Sequence, residues 1–280
     1  MLAWLKDRFR RGPVVPVVRL SGVIASGGLL GSRGLSIENV APLLKRAFEM
    51  RGAKAVALSV NSPGGSPVQS ALIGQRIRLL AAEKDVRVIP SVEDVAASGG
   101  YWLACAADEI IVDPSSIVGS IGVISAGFGF QDLIARMGVE RRMHTSGERK
   151  SMLDPFRPEK PEDIERLHRL QAEIHDGFKD WVRARRAGKL KADEATLFSG
   201  EFWTGKRGLE LGLVDGTGEL RATLQARYGA KVHLPVIGPR RRLLSRFGLG
   251  TSVGGTGIDD IGPATLAAIE ERLHWQRFGL

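Results

Sequence analysis

The chain is short of cysteine, of long apolar runs and of metal-holding motifs, and each shortage excludes something. The single cysteine, Cys105, cannot form an internal disulfide, so the fold does not depend on an oxidising compartment. No stretch approaches the ~20 apolar residues of a membrane-spanning helix. The opening residues Met1 to Arg10 are charged too early to hold the apolar centre of an export signal. A cytoplasmic protein is therefore expected. There is no His-Glu-x-x-His, Cys-x-x-Cys or acidic cluster, so neither metal nor cofactor is expected. The Gly-x-Ser-x-Gly elbow of Ser-His-Asp hydrolases is absent around Ser98.

What is present is a globular composition with a basic excess. The 280 residues are 43% hydrophobic and carry a net charge of +9. Lys6, Arg8, Arg10, Arg11 and Arg19 crowd one end, and Arg240, Arg241, Arg242 and Arg246 the other. Such charge favours acidic surfaces. No nucleic-acid-binding signature accompanies it, so no nucleic acid is expected. Leu2, Trp4, Leu5 and Phe9 alternate with the first basic residues. Residues 1–12 thus read as a basic amphipathic segment for peripheral contact with an anionic membrane, the inner membrane in a cytoplasmic setting.

Apolar strands at 14–20, 55–60, 87–92 and 109–112 alternate with helical stretches at 37–51, 67–82 and 98–106. That alternation predicts an α/β fold with a mostly parallel sheet covered by helices. A long helix over 158–188 follows from Ile164, Leu167, Leu170, Ile174, Phe178 and Trp181. Residues 13–230 read as one domain. Residues 231–280 read as a linker rich in Pro, Gly and Arg, with a helical tail.

Three segments carry chemistry. Asp94 to Ala107 places Ser98 in a small-residue corner between a strand and a helix. There its hydroxyl meets the positive end of the helix, and its neighbours let a substrate backbone approach. A helix N-cap is the competing role for Ser98. Asn61-Ser-Pro-Gly-Gly65-Ser66 is a second strand–turn–helix corner, one βαβ unit earlier. Parallel strands bring such corners to one sheet edge, where backbone N–H groups can form an oxyanion hole. A serine also needs a base. Lys150, in Arg149-Lys-Ser-Met-Leu-Asp-Pro-Phe156, serves if burial holds it neutral, and His144 is the rival. Cys105 lies two helical turns beyond the corner and reads as a packing residue.

Together these segments resemble the signal peptide peptidase A family, peptidase family S49, with its ClpP/crotonase-type fold. Val118-Gly-Ser-Ile-Gly-Val123 and Phe202 to Asp215 complete the resemblance, which runs from about Val14 to Tyr228. It implies a serine endopeptidase with a Ser-Lys dyad, acting on extended peptides such as signal-peptide remnants or membrane-protein fragments. Ser98 would be the nucleophile and Lys150 the base. Ser120 would orient the lysine, and the N–H groups of Gly65 and Gly99 would form the oxyanion hole. The single-repeat length implies a ring-shaped homo-oligomer. A crotonase-type acyl-CoA enzyme and a catalytically inactive, membrane-associated scaffold are the alternatives.

Overall fold

A computed structural model describes residues 12–26, 34–147, 149–238 and 272–280. All but Gly12 of the expected amphipathic segment 1–12, and most of the expected linker, lie outside the described residues. The body is an eight-stranded sheet running β6 (Phe202–Thr204), β5 (Ile117–Gly119), β3 (Arg87–Ala97), β2 (Ala55–Ser62), β1 (Val17–Ser21) and β8 (Val236–Ile237). Off this path, β4 (Ile111–Val112) pairs with β3, and β7 (Gly216–Thr217) pairs with β4. Every pairing is parallel except β5 with β6. The expected α/β class and mostly parallel sheet are therefore present.

The central strands are apolar on both faces because both faces are covered. Val56, Leu58 and Val60 point into the main core, while Ala55, Ala57 and Ile89 join Val15, Val17 and Leu224 on the other face. Helix α1 (Ile37–Phe48) starts at Ser36, whose side chain accepts from the Asn39 N–H. Helix α2 (Pro67–Lys84) is capped in the same way by Ser66 and has Pro67 at its first position. Helix α3 (Gly99–Cys105) is buried along its whole length. After α4 (Gln131–Arg136) comes α5 (Pro161–Arg185), which clamps α3 from outside. Trp102 stacks on Phe178 and Trp181 at centroid distances of 4.8 and 6.1 Å. The Trp181 indole N–H also donates to the Trp102 carbonyl at 3.0 Å. Helices α6 (Glu194–Leu197), α7 (Gly205–Glu210) and α8 (Leu220–Tyr228) complete the body.

Two expected boundaries move. Strand β3 does not stop at Val92 but continues to Ala97. Glu93 and Asp94 stay exposed within it, at the point where its neighbour changes from β4 to β5. The stretch from 231 also rejoins the body. Val15 donates to the His233 carbonyl, β8 pairs with β1, and Phe278 packs against Val95 and Ala97.

Among the described residues no helix is long and apolar enough to cross a membrane.

Candidate active site

Strand β3 delivers Ser98 at its tip. Ala97 pairs with Gly119 of β5, and the Ser98 N–H donates to the Gly119 carbonyl at 2.8 Å. Ser98 then turns sharply, with φ 52° and ψ −121°, before α3 begins. A non-glycine residue rarely adopts positive φ, and a strand-to-helix corner of this kind lifts a side chain clear of the backbone. Ser98 occupies the N-cap position of α3, and its carbonyl accepts from the Trp102 N–H at 3.0 Å, but its side chain makes no capping bond and is left free of that role.

The second corner lies alongside the first. A Cβ added at Gly64 would lie 2.8 Å from the Ser98 Cβ and 2.9 Å from the Gly99 nitrogen. Gly64 and Gly65 both have positive φ, 104° and 135°. Ile24 fixes this loop: its N–H donates to the Gly64 carbonyl at 2.8 Å, and its carbonyl accepts from Ser66 at 2.7 Å. This leaves the intervening Gly65 N–H without a protein acceptor among the described residues. The Gly99 N–H, at the start of α3, is free in the same sense. Glycine at 65 is required by its positive φ and by the packing of Ile24 against it. A Cβ there would strike the Ile24 carbonyl oxygen at 2.1 Å.

Ser120 follows Gly119 as Ser98 follows Ala97. It is 6% exposed, with φ 53°, and its N–H donates to the Glu201 carbonyl at 2.7 Å. The next carbonyl, that of Ile121, is held by His175 Nε2 of α5 at 3.0 Å. His175 was not singled out from the sequence. Its helical spacing marks it as half-buried, but only the fold shows that it grips the Ser120 turn.

Lys150 lies further along the chain, between α4 and α5. It is exposed, beside Ser146, Gly147 and Arg149 at an open depression, where partial burial was expected. Its segment explains this. Among the described residues of 123–160 none is buried as a whole, although the Asp154 side chain is enclosed, and α4 within this arm has no buried residue. His144, the rival base, is exposed on the same arm. Cys105 is inert packing, since burial pushes its thiol up to about 12.

Below the site, Arg186 is 2% exposed and donates to the Gly212 carbonyl and to Asp215. Burial acts to raise the Asp215 carboxyl. Hydrogen bonds from Arg186 and Lys189 outweigh it and hold the group below its ordinary range.

The chain is similar to longer curated proteins. A protein of Brucella abortus named Na(+)/H(+) antiporter NhaA is 54% identical over 95% of this chain, which is 37% of that protein. The chloroplastic serine protease SPPA of Arabidopsis thaliana is 32% identical over 79% of this chain and 33% of its own length. The chain thus spans about a third of these relatives. Among solved structures, the S97A mutant of the 1510-N membrane-bound stomatin-specific protease superposes with a TM-score of 0.51 at 17% identity. The match covers 82% of this chain and 99% of that one. It supports the ClpP-like fold. The profile of peptidase family S49 matches residues 80–232, which hold the Ser98 corner, the Ser120 turn and the Lys150 segment. More than half of the sequence lies within that match, and the chain belongs to peptidase family S49.

Proposed function

We propose that this chain is a serine endopeptidase whose Ser98 and Lys150 act as a dyad on extended peptides. The observation that carries the proposal is the Ser98 corner, held at positive φ against a loop whose Gly65 N–H has no acceptor among the described residues. Ser98 Oγ attacks the scissile carbonyl carbon and gives its proton to the neutral Lys150 amine. The carbonyl electron pair moves to oxygen, where the Gly65 and Gly99 N–H groups receive it. Collapse breaks the C–N bond, and Lys150 protonates the leaving amine. Water, deprotonated by the same lysine, then attacks the ester, and Ser98 recovers its proton as the acid product leaves. Ser120, beside Ser98 at the same sheet edge, orients the lysine.

The reading includes assembly. Ile124, Phe128, Leu133, Met137 and Val139 are each more than half exposed on the arm that carries Lys150. An apolar surface of this kind marks an interface. In a ring of copies, a neighbour covers the arm, and covering it desolvates the lysine beside a serine. The basic N-terminal segment adds peripheral contact with anionic membranes. Signal-peptide remnants and membrane-protein fragments are the substrate class.

A serine-reactive fluorophosphonate, used beside peptide-library profiling, tests the core of the proposal. Wild type should be labelled and should cleave, and Ser98→Ala should do neither. Cleavage by a clean Ser98→Ala preparation would end the assignment. Absence of labelling and cleavage in wild type would favour the inactive scaffold.

A further inference from the structure

The two corners of the site belong to neighbouring strands, so their alignment depends on the register between β2 and β3. That register is not uniform. Val60 pairs with Val92, but Ser62 pairs with Ala96. Two steps along β2 (62 − 60) thus answer four along β3 (96 − 92), and β3 carries two extra residues. At ~3.3 Å per residue, those residues move everything after them back by about 6–7 Å relative to β2. Counting on from Ser62 and Ala96, Ser98 comes level with Gly64, as the near-contact between them requires. In an unbroken register Ser98 would instead stand level with Ser66, beyond the oxyanion loop.

One side chain spans the irregularity. Asn61, the single residue of β2 opposite the bulge, uses both ends of its amide. Its Oδ1 accepts from the Val95 N–H at 3.2 Å, replacing a ladder partner that the bulge removes. Its Nδ2 donates to Asp94 Oδ2 at 2.7 Å. The rest of the bulge is pinned by Ser59, which donates to Glu93, and by Ser116, whose hydroxyl reaches the Val92 and Glu93 carbonyls. Asparagine suits this position because it presents a donor and an acceptor on one rigid group. We infer that Asn61 is a positioning residue for the peptidase reaction: by closing the β3 bulge against Asp94 and Val95, it sets the register that holds Ser98 beside the oxyanion loop. The inference rests on the peptidase reading proposed above.

The test is turnover per active site, counted by fluorophosphonate titration, in Asn61→Ala, Asn61→Asp and the double variant Asn61→Asp/Asp94→Asn. A misplacement of about 1 Å can cost roughly 100-fold in rate. Asn61→Ala and Asn61→Asp, the latter setting like charges together, should lose about tenfold to 100-fold in kcat per titrated site, with KM little changed. The double variant restores one donor facing one acceptor and should recover most of that loss. A merely structural role would lower the number of titratable sites and leave turnover at each unchanged. That result, or an unrescued double variant that is folded, would overturn the inference. If Asn61→Ala fails to fold, the comparison of Asn61→Asp with the double variant decides. Persisting cleavage by Ser98→Ala in the same experiment would instead remove the peptidase reading, and the inference with it.

Discussion

Ser98 and Ser120 are counterparts across two strands: each follows one member of the Ala97–Gly119 pair, and each turns to positive φ, 52° and 53°. One hydroxyl-bearing residue therefore leaves each strand at the same level of the sheet edge. The Ser120 turn is held from behind by Glu201 and, through Ile121, by His175. If Ser120 orients the base, Ser120→Ala removes one hydrogen bond and leaves the nucleophile intact. Losing about 1–2 kcal/mol of transition-state stabilisation corresponds to roughly tenfold in kcat. Steady-state kinetics beside Ser98→Ala checks this, and equal loss in both variants would contradict the ranking.

Assembly and activity should fail together. A charge placed on the exposed arm, as in Phe128→Asp or Met137→Asp, leaves the body core untouched because neither residue is buried. Light scattering should show smaller species, with peptidase activity falling in proportion. Lys150→Arg should assemble normally yet lose about 100-fold or more, since a guanidinium does not release its proton. Full activity in monomeric Phe128→Asp would separate the arm from the chemistry.

Gly65→Val should be damaging for a reason unconnected with substrate. The new side chain meets the backbone of Ile24 and occupies a φ of 135°. The loop must shift, taking the Gly65 N–H with it. Under the proposed mechanism this removes one oxyanion donor, at a cost of about 100-fold in kcat. A lower melting temperature should accompany it, because the Ile24 hydrogen bonds are strained as well.

Asp215 gives the fold a defined acid limit. Its folded carboxyl titrates below the ordinary value of 3.8, so its contribution is present above that value. The contribution is lost as pH falls from there through the lower folded value, where protonation breaks the contacts to Arg186 and Lys189. Asp215→Asn should therefore be less stable than wild type at neutral pH, and the difference should shrink as pH falls below 3.8. Urea midpoints measured across that range provide the check.

The layers and the glycine corners were legible because they depend on local rules. Val56, Leu58 and Val60 announce a covered strand, and Pro63-Gly-Gly65 announces the turn after it. The end of β3 was not legible. Glu93 and Asp94 interrupt its apolar run and read as a loop, yet they are the outward part of a bulge tied by Ser59 and Asn61. Side-chain bonds between residues 33 and 34 positions apart leave no periodic trace. The surroundings of Lys150 were also out of reach, since burial of an arm residue depends on what packs over it. Phe278, in a tail read as separate, returns to the underside of Val95 and Ala97 and meets Phe202 edge-on at 5.1 Å.

The backbone at Ser98 sets a trade between durability and use. Its φ and ψ, 52° and −121°, match the first central position of a type II′ turn, where glycine is at ease and serine is not. Holding a residue there costs on the order of 1–3 kcal/mol, supplied by the surrounding pairing of Ala97 with Gly119. Replacing Ser98 with glycine would release that tension. The resulting protein should melt several degrees higher than the native one and do no chemistry. If Ser98 is the nucleophile of the proposed peptidase, the serine holds the molecule short of its own stability optimum in exchange for reactivity.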